Sequence, residues 1–257
     1  MARITTLLIL LLTGIFTGIF ARDINHDAIR CLEKYGSNPE NYVIKTFIEN
    51  KPEKLEQEYA SVGFDKELVA ILDTIYDEDQ NYRLKLGDIE KEFGRDSEEM
   101  KAHWEMIHDK DEDNLIKITK ILDTRGWLGP DIIGEQGNLT LFLVIQHADI
   151  DTQIKYMPMI REAVKNGNAK PDQLALLEDR IAMRQGKKQV YGSQVMVDPE
   201  TGEYYVSPIE DPENVDKRRA EVGLQPMSEY LGIFNLTWDV EKHKQRTAKI
   251  EAEKNQD

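Results

Sequence analysis

Apolar residues spaced three and four apart constrain this chain more than any other feature. Leu68, Ile71, Leu72 and Ile75 share one face of a helix that runs on through Arg83. Leu115, Ile118, Ile121 and Leu122 form another strong stripe, which Gly126 ends. Such spacing buries one side of an α-helix and would scatter over both faces of a strand. The same pattern predicts helices over residues 43–62, after the start signal Asn38-Pro39, and over 97–106 and 216–221. Another begins at Pro171 and ends near Gly186. Residues 151–164 are amphipathic but contain Pro158, which predicts a kink or a late start. Residues 138–147 are apolar on almost every side, so a buried strand and a buried helix both fit; the helical neighbours favour a short core helix. The pattern changes only after Gly186. Residues 189–197 and 203–206 are rich in β-formers and flank the turn sequence Asp198-Pro-Glu-Thr-Gly202, which reads as a β-hairpin. The expected fold is mainly α: an irregular multi-helix domain with a small β-hairpin near residues 189–206.

The N-terminus carries a different signal. Arg3 is followed by an uncharged, largely apolar run up to Arg22, which reads as the n-region and h-region of a secretory signal peptide over residues 1–21. Ala21 suits cleavage, whereas Ile19 stands where a small residue is preferred, so an uncleaved anchor is the alternative. Behind the signal follow a helical segment (22–66), the main domain (67–235) and a charged tail (236–257) that is either an exposed helix or frayed. An extracytoplasmic location, periplasmic or secreted, is expected. Cys31 has no second cysteine to pair with. The sequons at Asn138 and Asn235 are acceptors only in a eukaryotic host. A formal net charge of −15 argues against nucleic acid and against an anionic membrane surface as partners. A small polar ligand remains the expected partner, with no membrane contact beyond the N-terminal anchor.

Phosphate loops, nucleophile elbows and paired metal ligands are missing from the sequence, so no metal and no cofactor is expected. Asp109, Asp111 and Asp113 alternate as in a calcium loop, but the glycine and closing glutamate do not follow, and the run reads as a solvated acidic helix end. What remains is a set of polar residues beside apolar runs. Asp79, Gln80 and Arg83 end one helix, and Asp79 and Arg83 share a face; a surface ion pair is the plain alternative. Gln146, His147 and Asp149 close the apolar run at 138–147, where His147 is either an acid–base group or a core histidine bonded for structure. Asp179 and Arg180 are adjacent on an otherwise apolar helix, so one of them faces inward and must be paired. Gln189, Tyr191 and Gln194 would line the first hairpin strand, Gln189 and Tyr191 on one side and Gln194 on the other.

These residues resemble the pattern of a bacterial domain family of unknown function. The resemblance is carried by Gly126-Trp127, Gly134, Gln146-His147-Ala-Asp149, Asp179-Arg180, Gln189-x-Tyr191-Gly-Ser-Gln194, Asp79-Gln-x-x-Arg83, Asp111-x-x-Asn114 and Arg218-Arg-x-x-x-Gly223-Leu224, over residues 68–230. Leu128 departs from it, since proline is expected after Gly-Trp. The resemblance groups these residues and implies no reaction. Two readings of the group follow. In the first, His147 is a general acid or base oriented by Asp149 or Asp179, with Arg83 and Arg180 holding an anionic group and Asp79, Gln80, Gln146, Gln189, Tyr191 and Gln194 completing a ligand site. That is a metal-free hydrolase or lyase acting on a small polar or glycan-like molecule. In the second, the same residues form a structural polar network in a binding or scaffold protein.

Overall fold

The computed structural model describes residues 63–198 and 201–254. The expected signal peptide, Cys31 and the helices expected over 43–62 lie outside the described residues. The described chain is mainly helical, as the spacing predicts, and forms two compact units that part between Lys170 and Pro171, a boundary the sequence reading does not draw.

The first unit contains α1 (Lys66–Arg83), α2 (Leu86–Phe93), α3 (Glu98–Arg125), α4 (Pro130–His147) and α5 (Ile150–Lys165). Asp65 starts α1 by accepting the Leu68 N–H at 3.1 Å, an N-cap that satisfies one of the helix's orphan donors. Leu68, Leu72, Ile75 and Tyr76 then bury one face of α1 against α3 and α4. That buried stripe does not stop where the apolar residues stop: Asp79, Gln80 and Arg83 continue it.

Residues 97–106 and the stripe at 115–122 belong to one helix of 28 residues, α3. The charged stretch between them holds no glycine or proline, so nothing breaks the helix. Gly126 ends it at φ 72°. Along α3 the inward positions are Met100, His103, Ile107, Asn114, Ile118 and Leu122, and Asp111 falls on the same face between Ile107 and Asn114.

The apolar run at 138–147 is a helix, the latter part of α4, which is interrupted at Gly134 (φ 72°, ψ 168°). Asn138 is buried there and donates to the carbonyls of Leu128 (2.8 Å) and Asn168 (2.7 Å), so the folded unit offers no glycan acceptor at this sequon. Helix α5 already begins at Ile150 and runs through Pro158, so the late start does not occur. Pro158 is exposed, and water can satisfy the carbonyl that it leaves without a donor.

The second unit contains α6 (Pro171–Arg184), the hairpin β1 (Val195–Val197) and β2 (Tyr204–Val206), a 3-10 turn (Pro212–Asn214), α7 (Val215–Glu221), α8 (Met227–Gly232) and α9 (Val240–Lys254). The strands pair antiparallel with Val195 opposite Val206 and Val197 opposite Tyr204. Val206, Ile209, Val215, Met227 and Leu231 form the core of this unit. The hairpin is shorter than the β-formers suggest. Residues 189–194 are not a strand but a loop touching Ile209 through one isolated bridge at Gln189, so the alternating faces expected for Gln189, Tyr191 and Gln194 do not exist. Within the charged tail Val240–Lys254 is a helix, α9, and it is anchored: His243 and Thr247 are buried.

Candidate functional site

Among the described residues, the candidate side chains gather in two polar clusters, one in each unit. In the first, α1, α3 and α4 bring Asp79, Arg83, Asp111 and His147 together. His147 is the last residue of α4 and places Nδ1 3.0 Å from Oδ1 of Asp79. An ionised carboxylate can only accept, so Nδ1 carries the proton in this contact and the lone pair of the neutral ring stays on Nε2. The Gln80 amide donates to the other Asp79 oxygen, Oδ2. Arg83 donates from Nη1 to the Asp79 carbonyl (2.7 Å), lies 3.4 Å from Oδ1 of Asp79, and donates from Nη2 to Oδ2 of Asp111 (2.7 Å).

Asp79 is only 1% exposed, whereas the side chains of Asp111 and His147 retain 20% and 16%. Burial pushes the Asp79 carboxyl up, but the His147 and Arg83 charges and the Gln80 amide outweigh it and hold the group below its ordinary range. Apart from the imidazole, the cluster carries two carboxylates against one guanidinium. Oδ1 of Asp111 is buried and accepts no hydrogen bond.

Read by residue type alone, Asp111 stayed outside the candidate site, although the resemblance grouped it with Asn114. The run Asp109, Asp111, Asp113 was expected to be solvated throughout; Asp109 and Asp113 are exposed, and Asp111 turns inward to Arg83. The signal was the spacing 107, 111, 114, 118, which puts Asp111 on the buried stripe. The carboxylate on His147 is Asp79, neither Asp149 nor Asp179. Asp149 is the N-cap of α5, accepting the Thr152 N–H at 2.9 Å and its hydroxyl at 2.8 Å. The Thr152 N–H and hydroxyl hold its carboxyl below the usual range. Gln146 is buried behind His147, with its carbonyl accepting from Gln153 Nε2 at 2.8 Å.

The second cluster is built around Asp179, which is fully buried and is the inward member of the Asp179-Arg180 pair; Arg180 is half-buried. Its carboxylate accepts backbone N–H groups from Val190 (2.7 Å), Tyr191 (3.0 Å) and Ser193 (2.9 Å). Burial pushes this carboxyl up, and those amides pull it down without cancelling the shift. Two arginines hold the loop's carbonyls: Arg218 Nε donates to Val190 O (2.9 Å) and Arg219 Nη1 to Tyr191 O (2.7 Å). Gln189 spends its side chain on the loop as well. Its Nε2 donates to the carbonyls of Gln194 (3.1 Å) and Ser207 (2.7 Å), and its Oε1 accepts the Gln194 N–H (2.8 Å). Gln194 Nε2 donates to Ser193 Oγ (3.0 Å). Tyr191 is half-buried, and that burial pushes its phenol up. These contacts set the backbone path of the loop.

Among the described residues, hollows open to solvent include two. One of about 350 Å³ lies over Asp77, Glu78, Tyr82 and Lys110 in the first unit; the other, of about 410 Å³, lies over Lys188, Asp211, His243 and Lys244 in the second. Neither is lined by His147 or Asp179.

The described residues define a mainly helical protein with one short hairpin, and a family model gives it a boundary. A model described as "Family of unknown function (DUF6624)" matches residues 64–242, and the chain belongs to that family. The match takes in the whole of the span 68–230 over which the motifs resemble such a family. No curated protein and no solved structure matches the chain.

Proposed function

We propose that this family member is an exported protein whose first unit carries a general acid–base site acting on a small polar ligand, as a hydrolase or lyase. The observation that carries the reading is the pair His147 Nδ1–Asp79 Oδ1, 3.0 Å apart on helices far separated in sequence. A buried carboxylate on Nδ1 fixes the tautomer, leaves Nε2 as the acting atom and stabilises the imidazolium that forms when Nε2 takes a proton. Arg83 is committed to Asp79 and Asp111, so it positions the pair and does not clamp substrate. The uncharged run before Arg22 supports export. Among the described residues no helix is long and apolar enough to cross a membrane.

The test uses the full chain stripped with EDTA, assayed on a panel of chromogenic esters, phosphoesters and glycosides. His147→Ala and Asp79→Asn each lower the activity found by about 100-fold or more, while circular dichroism stays at the wild-type value. Unchanged turnover in His147→Ala refutes the reading. The mass of the exported product tests the signal: cleavage after Ala21 removes the apolar run, and a product that stays cytosolic sinks the export half.

A specific observation favours a second reading, a non-catalytic structural network: Asp79 is sealed from solvent, and neither hollow is lined by His147. On that reading His147→Ala leaves Asp79 short of a partner and lowers Tm by several degrees, with no activity to lose.

A further inference from the structure

We propose that Asp79, Asp111 and His147 bind a divalent first-row transition ion, of the Zn2+ or Mn2+ class, in exchange for the Arg83 guanidinium. The inference does not rest on the acid–base reading; an ion on the imidazole would compete with that use of His147.

The geometry comes first. One ligating atom from each of the three residues lies within 4.8 Å of the others. Two donors sharing an ion at about 2.1 Å each lie at most about 4.2 Å apart, so closing the set asks for sub-ångström to ångström shifts of side chains on three rigid helices. The donor types agree: one imidazole and two carboxylates are a mixed N/O set of the kind first-row ions take, and three protein ligands leave a position for water. Asp79 already has the outer support that ligands need, through Gln80 on its Oδ2.

The second observation is an oxygen without a partner. Oδ1 of Asp111 is buried and accepts no hydrogen bond, although its sister oxygen holds Arg83 at 2.7 Å. Buried carboxylate oxygens are normally satisfied, and an unsatisfied one is a place where a water, a donor or a cation can sit. Charge points the same way. The cluster holds one more carboxylate than guanidinium, and Arg83 bridges the two carboxylates as a cation would. Arg83 is the last residue of α1, and an ion would have to displace its contacts to Asp79 and Asp111. Among the described residues this is the one set of three or more such side chains close enough to share an ion.

The experiment measures uptake with no substrate present. The full chain is treated with EDTA, dialysed against Zn2+, Mn2+ or Mg2+, and read by metal analysis and titration calorimetry. The expected result is one Zn2+ or Mn2+ per chain, bound at least about tenfold more tightly than Mg2+. Asp111→Asn and His147→Ala each weaken binding by about tenfold or more. Arg83→Gln tightens it by about tenfold or more, because a competing positive charge leaves the site. Asp111 is partly exposed, so Asp111→Asn decides the matter even where His147→Ala or Arg83→Gln fails to fold. Stoichiometric uptake that Asp111→Asn leaves unchanged overturns the proposal, as does a lack of uptake by the folded wild-type chain. Because the acid–base test is run in EDTA, either idea can fail alone.

Discussion

Replacing Asp179 with alanine tests whether the second cluster is structural. The carboxylate accepts the N–H groups of Val190, Tyr191 and Ser193 in a fully buried position. Asp179→Ala strands all three amides at once. A buried donor left without a partner costs about 1–3 kcal/mol, and water entering the vacated space recovers part of that. Removing a buried charge offsets a little more, so the net cost is about 4 kcal/mol, in the range for breaking a buried charged network. The second unit's described residues run from Pro171 to Lys254. For a unit of that size, 1 kcal/mol moves Tm by about 4–8 °C, which puts the expected fall at roughly 15–30 °C. Differential scanning calorimetry of the full chain reads it as a downward shift of one transition. Asp179→Asn falls between, because its carbonyl oxygen can still accept from Val190 and Tyr191 while its amide faces Ser193. A fall of less than about 5 °C for the alanine variant would refute the reasoning and return Asp179 to the chemistry.

Two further perturbations probe the same unit. His243 is buried with Nε2 accepting the Ile209 N–H at 3.2 Å, and burial, with Lys188 nearby, pushes its pKa down from 6.5 to about 4. A base with a depressed folded pKa contributes stability that is present above about pH 6.5 and lost as pH falls toward 4. The loss amounts to about 2–3 kcal/mol, read as a lower urea midpoint at pH 4.5 than at pH 7.5, and His243→Gln should flatten that slope. Gly192 has φ +69°, and a Cβ there would stand 2.7 Å from Ile209 Cδ1 and 2.9 Å from Met227 Sδ. Gly192→Ala is therefore expected to cost about 2–3 kcal/mol, measured by the same urea titration; a neutral result would show that the loop can shift.

Helical spacing made most of the architecture legible. Leu68 to Ile75 announced α1, and the continuation of that stripe into Asp79 and Arg83 is what places charge in the interior. The buried helix at 138–147 also follows from its sequence and its neighbours. Other features were hidden for identifiable reasons. Asp111 sits among acids at alternate positions, and residue type alone does not tell which of Asp109, Asp111 and Asp113 turns inward; only the phase of the α3 stripe does. Residues 189–194 have strand-like composition, but Asp179, Arg218 and Arg219 capture the backbone groups that a strand would give to its neighbour. That capture is tertiary, and no local pattern reports it. The Asp79–His147 pairing is likewise a contact between distant helices, so the motif around His147 pointed to its sequence neighbour Asp149 while space supplied Asp79.

The carboxylate of Asp179 also acts as a ruler. It collects amides at positions 190, 191 and 193, while Gln189 closes onto Gln194 across the same segment. One residue more or fewer would move at least one amide out of reach of an oxygen fixed on α6. Length is therefore what this loop has to keep, whatever side chains it displays. The turn between β1 and β2, where Thr201 and Gly202 are exposed, is held more lightly: one side-chain oxygen, Oδ1 of Asp198, accepts the Thr201 N–H at 3.2 Å in an exposed contact. Insertions and deletions among relatives should accumulate in that turn and spare the six positions beside it.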